Sequence, residues 1–283
     1  MNTWLLENAE IPIRYNLLQK YRLQEEAFDL QEMLVTVPEV QYWLGQLDHR
    51  ASMGMVGNIH GSHDYRFENI MGKLIQLGLR AGMPALDERC AVYRQRLAEQ
   101  VAKEREPGLS FKKLYSYYDY ELIPAAFLAL AGYSDPAVQQ VRENRLELLY
   151  EFTKQQRYDI YIDGSKLPGV PKDWQPWIID PDLYADGQIH TPVLHDYILL
   201  STFFQQTVDQ QFREKICTVV DWLFGPPYKE IPVHCGYFWI PGGSYSSKAV
   251  CWKLDLPGIQ NLGENPKQGQ ALIQRVHLLS NFP

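Results

Sequence analysis

The stretch HDYRFENIMGKLIQLG, His63 to Gly78, decides the fold class. Phe67, Ile70, Met71, Leu74 and Leu77 recur at intervals of three and four, the spacing of one face of an α-helix. They predict a buried stripe over residues 64–80. Beyond Gly82-Met83-Pro84 the stripe resumes as Leu86, Cys90, Tyr93, Leu97 and Val101, so the unit is a pair of helices.

The unit recurs. Tyr118-Asp119-Tyr120 and His195-Asp196-Tyr197 echo His63-Asp64-Tyr65, and each opens an apolar run that hands over to a charged amphipathic partner. Gly132 follows Asp119 at almost the interval that separates Gly78 from Asp64. Asp135-Pro136 then supplies an N-cap and a first helical position for a run containing Val138, Val141, Leu148, Leu149 and Phe152. Residues 192–204 and 208–224 form the third pair, with Phe212, Ile216, Val219 and Leu223 as its stripe. Successive tripeptides start 55 and 77 residues apart, which makes a degenerate repeat with an insertion in the longer interval. That insertion, residues 158–190, is rich in Pro, Asp and Trp and is expected to cover the mouth of a cavity. Near the C-terminus the period becomes two: Val250, Trp252, Leu254 and Leu256 share a face, residues 236–241 offer a partner strand, and Gly242-Gly243-Ser244 offers the turn. The expected organisation is a single helical-repeat domain over residues 1–283. It has N-terminal helices over 1–60, three helical pairs over 61–224, a β-hairpin over 232–257 and a C-terminal helix over 265–283.

Composition removes several function classes. The 46% hydrophobic and 22% charged content is that of a globular protein. The longest nearly apolar stretch, residues 122–132, falls short of the about 20 residues a membrane span needs, so no membrane insertion is expected. A net charge of −7 without a basic run argues against a nucleic-acid partner, since phosphate binding rests on Lys and Arg. The N-terminus lacks a secretory pattern and the four cysteines form no CxxC pair, so reduced thiols and a cytoplasmic location are expected. Glycine-rich phosphate loops are missing, and no cofactor is predicted.

Helical pairs at about 50-residue spacing, with polar and aromatic residues opening each inner helix, resemble the α/α toroid of the terpenoid cyclase and protein prenyltransferase superfamily over residues 61–224. The resemblance implies a mainly α, α/α toroid-like fold and an enzyme acting on a small isoprenoid-like or other apolar substrate in a cavity ringed by the inner helices. No DxDD, DDxxD or QxxDGxW string occurs, Asp180-Pro181-Asp182 being the nearest to the first, so the resemblance transfers no catalytic residue. Related α/α barrels process sugars, which makes a glycan-active hydrolase or lyase an alternative. A HEAT-like protein-binding scaffold is a third.

The residues themselves nominate a site. Carboxylates beside imidazoles and phenols supply general acids and bases, which selects His63, Asp64, Asp119, His195 and Asp196. Glu68 lies one turn beyond Asp64 on the same face, placed either to share its proton or to pair with Arg66 or Lys73. Tyr65, Tyr118, Tyr120, Tyr197, Trp174 and Trp177 offer flat faces to a small-molecule substrate, whereas Trp4, Trp43 and Trp222 are assigned to the core. His60, His63 and His195 are nitrogen donors suited to a divalent metal such as Zn²⁺ or Fe²⁺. An aspartate that only complements an exposed helix start is worth about 0.3–1 kcal/mol, so Asp64→Asn and Asp196→Asn are expected to leave the fold intact.

Overall fold

Phe67, Ile70, Met71 and Leu74 are wholly excluded from solvent along one helix, Phe67–Gln76. The computed structural model describes residues 3–21, 23–57, 59–61, 65–103, 114, 117–206, 209–232, 236–239, 249–250 and 282. It is mainly helical, and its residues fall into two compact bodies. No described helix is long and apolar enough to cross a membrane. The C-terminal helix expected over 265–283, most of the hairpin's second strand, His63 and Asp64 lie outside the described residues.

The first body comprises residues 1–102 and 123–138. Its helices are α1 (Thr3–Asn8), α2 (Ile11–Lys20), α3 (Gln24–Leu34), α4 (Pro38–Ser52), α5 (Phe67–Gln76), α6 (Pro84–Val101), α7 (Ile123–Ala131) and the start of α8 (Pro136–Thr153). Helix α7 is apolar on every side and buried almost throughout, the pattern of a central element, and α5 and α6 both pack against it. Helix α4 packs on α5 and α6 through Val40, Leu44 and Leu47. Trp4, assigned to the core from sequence, is instead 63% exposed, because six-residue α1 packs on α2 alone among the stronger contacts.

The two glycines end their helices in the same way. At Gly78 (φ +107°) the amide donates to the Ile75 carbonyl and that of Leu79 to Leu74; at Gly132 (φ +101°) the acceptors are Ala129 and Leu128. This pair of bonds is the Schellman motif, which needs a left-handed residue. The turns are joined by the Ala81 amide donating to the Ala131 carbonyl at 2.8 Å. Around them, Tyr133 donates to Asp87 at 2.7 Å and the Arg94 guanidinium clasps Asp135.

The second body comprises residues 103–122 and 139–283. It holds the rest of α8, then α9 (Leu194–Gln206), α10 (Gln210–Phe224) and α11 (Pro226–Glu230). Asp209 caps α10, and Ile216, Val219 and Leu223 are buried as their spacing predicts. Strands β1 (Tyr161–Ile162) and β2 (Ile178–Ile179) pair antiparallel. Then β3 (Gly236–Tyr237) lies parallel to β2, and β4 (Ala249–Val250) antiparallel to β3, as the hairpin reading requires. The insertion is therefore half of a small sheet. Trp174 stacks on Tyr237 at 4.7 Å beside the cluster of Val170, Ile178 and Trp239, and Trp177 meets Tyr161 edge-on; both tryptophans are half-buried. Their apolar bulk is spent on this layer. Trp222 is fully buried, with Tyr158 stacked parallel on it at 5.2 Å.

The two glycines give a matched test. A Cβ on Gly132 meets only Ala81 Cβ at 3.7 Å, whereas one on Gly78 comes within 2.8 Å of the Tyr15 ring and 3.3 Å of Leu34. Gly132→Ala should lose about 1 kcal/mol in urea unfolding from backbone strain, and Gly78→Ala clearly more. Equal losses would show that the contact with Tyr15 yields freely.

Candidate functional site

The second body brings together two of the three tripeptides. Residues Tyr118–Leu122 form a π-helical turn immediately before α7. The cause is Pro124: in a regular helix its ring would press on the carbonyl of Tyr120, and it has no N–H to return to it. Widening the turn removes the conflict, and such turns recur at functional sites. The Tyr118 hydroxyl lies 2.7 Å from His195 Nδ1, with the two rings edge-on at 5.4 Å. His195 is 5% exposed.

His195 sits at the second position of α9, which begins at Leu194, two residues later than the expected start at 192. Asp196, next to it, is completely buried. Its Oδ2 accepts from the Val193 amide at 2.9 Å, the reach-back bond that closes a helix start. Arg145, from the middle of α8, grips the same carboxylate with both arms: Nε to Oδ1 at 2.7 Å and Nη2 to Oδ2 at 2.8 Å. Its remaining nitrogen donates to the Ile189 carbonyl at 2.7 Å. Burial works against a charged guanidinium, but Asp196 and Tyr117 beside it hold Arg145 above its ordinary pKa.

This geometry revises the sequence reading of Asp196. A carboxylate with no exposure, bound bidentately and accepting a backbone bond, supports the site instead of exchanging protons with a substrate. Tyr197 is also fully buried, its hydroxyl has no hydrogen-bond partner among the described residues, and burial raises its pKa well above the usual value. A side chain so enclosed is core. Asp119 and Tyr120 are half-buried on the π turn.

The remaining candidates belong to the first body. Tyr65 is 47% exposed and its hydroxyl meets that of Tyr42 at 3.1 Å. Glu68 is buried, and its Oε1 lies 2.7 Å from His60 Nδ1 and accepts from the Gly61 amide at 2.8 Å. The carboxylate thus ties the chain at residues 60–61 to the first turn of α5. His60 and Glu68 in one body, and His195 in the other, carry donor atoms of the kind that bind Zn²⁺ or Fe²⁺.

Sequence reasoning passed over Arg145, although a signal was present. It stands four residues after Val141 and four before Leu149, inside the apolar stripe of α8. A charge at a core position demands a buried partner.

The pair supplies a prediction. Asp196→Asn removes the charge that compensates a fully buried guanidinium, so it should destabilise the second body by about 3–5 kcal/mol, not the small amount of an exposed helix start. Replacing both partners, as Arg145→Met with Asp196→Leu, should recover much of that loss in chemical denaturation. A double variant no more stable than Asp196→Asn would show that the ion pair is not the source.

No family model, no curated protein and no solved structure matches this chain.

Proposed function

We propose that this chain is an enzyme that moves a proton on a small organic substrate, with His195 and Tyr118 as its acid–base pair. The observation that carries the reading is the part-buried 2.7 Å contact between Tyr118 Oη and His195 Nδ1, Tyr118 standing on a π turn. A phenol and an imidazole in contact can exchange roles. When the phenol donates to Nδ1, the proton of the neutral ring sits on Nε2 and that nitrogen is an acid; when Nδ1 donates, Nε2 is a base. Arg145 and Asp196 anchor the first turn of α9, the backbone from which the imidazole projects. Such pre-organisation is what general acid–base catalysis needs.

The helical-pair resemblance adds the substrate class to this proposal: an isoprenoid-like or other apolar molecule bound against aromatic side chains, in an α/α toroid-like, cytoplasmic enzyme. The part-buried tyrosine–histidine contact beside a buried ion pair favours the enzyme reading over a protein-binding scaffold.

The test is turnover of a panel of isoprenoids, aromatic small molecules and oligosaccharides, followed by mass spectrometry. With the substrate found, His195→Gln should lower kcat by about 10²-fold or more, and Tyr118→Phe by less, with a shifted pH profile. Melting temperatures should move little in either. Variants that lose stability yet turn over normally would make the pair a buried structural contact, and the proposal would fail.

A further inference from the structure

Arg50 lies in the last turn of α4 and is only 8% exposed, yet its Nε and Nη1 have no hydrogen-bond partner among the described residues. A buried guanidinium with idle donors is costly, and proteins ordinarily satisfy such groups. Among the described residues, two carboxylates near it in the chain are committed elsewhere: Asp48 of α4 to Arg89 at 2.8 Å, and Glu68 to His60 and the Gly61 amide.

Other donors gather around it in the first body. Tyr93 of α6 is 3% exposed, and its hydroxyl is likewise buried without a partner among the described residues. Burial pushes that phenol up to about 12, against the pull of the Arg50 and Arg96 charges. Arg50 is itself lowered by burial, and by the nearby charge of Arg66 despite the opposing influence of Tyr93. Arg96 stands one turn beyond Tyr93 on α6 and presses against the chain at Gly57, where a Cβ would lie 2.9 Å from its Nη2. Arg66, just before α5, presses on Gly61, where a Cβ would lie 3.3 Å from its Nε. Both glycines leave room that a guanidinium fills. Arg50 and Tyr93 are buried, Arg66 is half-buried and Arg96 is exposed.

We propose that Arg50, Arg66, Arg96 and Tyr93 form a binding site for a phosphate group, either inorganic phosphate or the monoester of a small molecule. Three guanidinium groups and a phenol suit a tetrahedral dianion, which has more acceptor positions and more charge than a carboxylate. The site is independent of the tyrosine–histidine pair, since all its members belong to the first body.

Calorimetric titration of the full chain with inorganic phosphate, against chloride at equal ionic strength, tests it. The wild-type chain should bind phosphate saturably in the millimolar range or tighter. Arg50→Met and Arg66→Gln should each weaken binding by about tenfold or more, the worth of a charged hydrogen bond. In phosphate-free buffer, Arg50→Met should melt no lower than wild type, because it removes an unpaired buried charge. Arg66→Gln keeps the test open if Arg50→Met fails to fold. Phenyl phosphate binding more tightly than inorganic phosphate would identify a phosphorylated small molecule as the ligand, and the reverse order free phosphate. No saturable binding beyond the chloride control, or equal binding in wild type and both variants, would overturn the site.

Discussion

Arg145 and Asp196 are both at zero exposure, and the second body is arranged to make that tolerable. Withdrawing two charges from water costs several kcal/mol per ion, repaid only when geometry is good and the remaining polar positions are filled. Here the guanidinium spends its donors on both carboxylate oxygens and the Ile189 carbonyl, while the carboxylate also takes the Val193 amide. The bonds fasten the middle of α8 to residues 189–196, the last part of the insertion and the first turn of α9. The backbone that carries His195 is therefore anchored by its neighbour. An apolar pair could fill the volume but would not fix the chain at Ile189 and Val193.

Amphipathic stripes were legible because burial of a single face follows directly from spacing. The stripes of α5, α6 and α10 stand where their spacing puts them, and Gly78 and Gly132 end their helices because a Schellman turn requires a left-handed residue. Trp4 and the insertion's tryptophans were not legible. Their burial depends on which distant segment arrives, and nothing local encodes that β3 supplies Tyr237 to Trp174.

The tripeptides teach a related point. Similar letters at similar intervals gave Tyr65 an exposed position, Tyr197 a fully buried one, and Tyr118 a contact with His195. Local pattern places such residues near a helix start, but the environment at that start is a property of the whole body. Pro124 is the local exception: it forces the widened turn on which Tyr118 sits, and no counterpart follows His63-Asp64-Tyr65 or His195-Asp196-Tyr197 at the same interval. The visible difference between the repeats was thus a proline, not an acid.

Arg145 and Arg50 are two nearly inaccessible guanidinium groups in one acidic chain, and they differ in what surrounds them. Arg145 shows what this protein does with a permanent buried cation: it surrounds it with a carboxylate and carbonyl until the donors are used. Arg50 has two nitrogens without a partner among the described residues and feels the positive charge of Arg66. If Arg50 existed only to pack, its aliphatic stem would suffice and a methionine would do the same work without the charge. The charged head group, with Arg66 close by and no hydrogen-bond partner for Nε and Nη1 among the described residues, is what the proposed phosphate would compensate. No run of basic residues announces this cluster. Its members lie on α4, before α5 and on α6, so the fold alone assembles them.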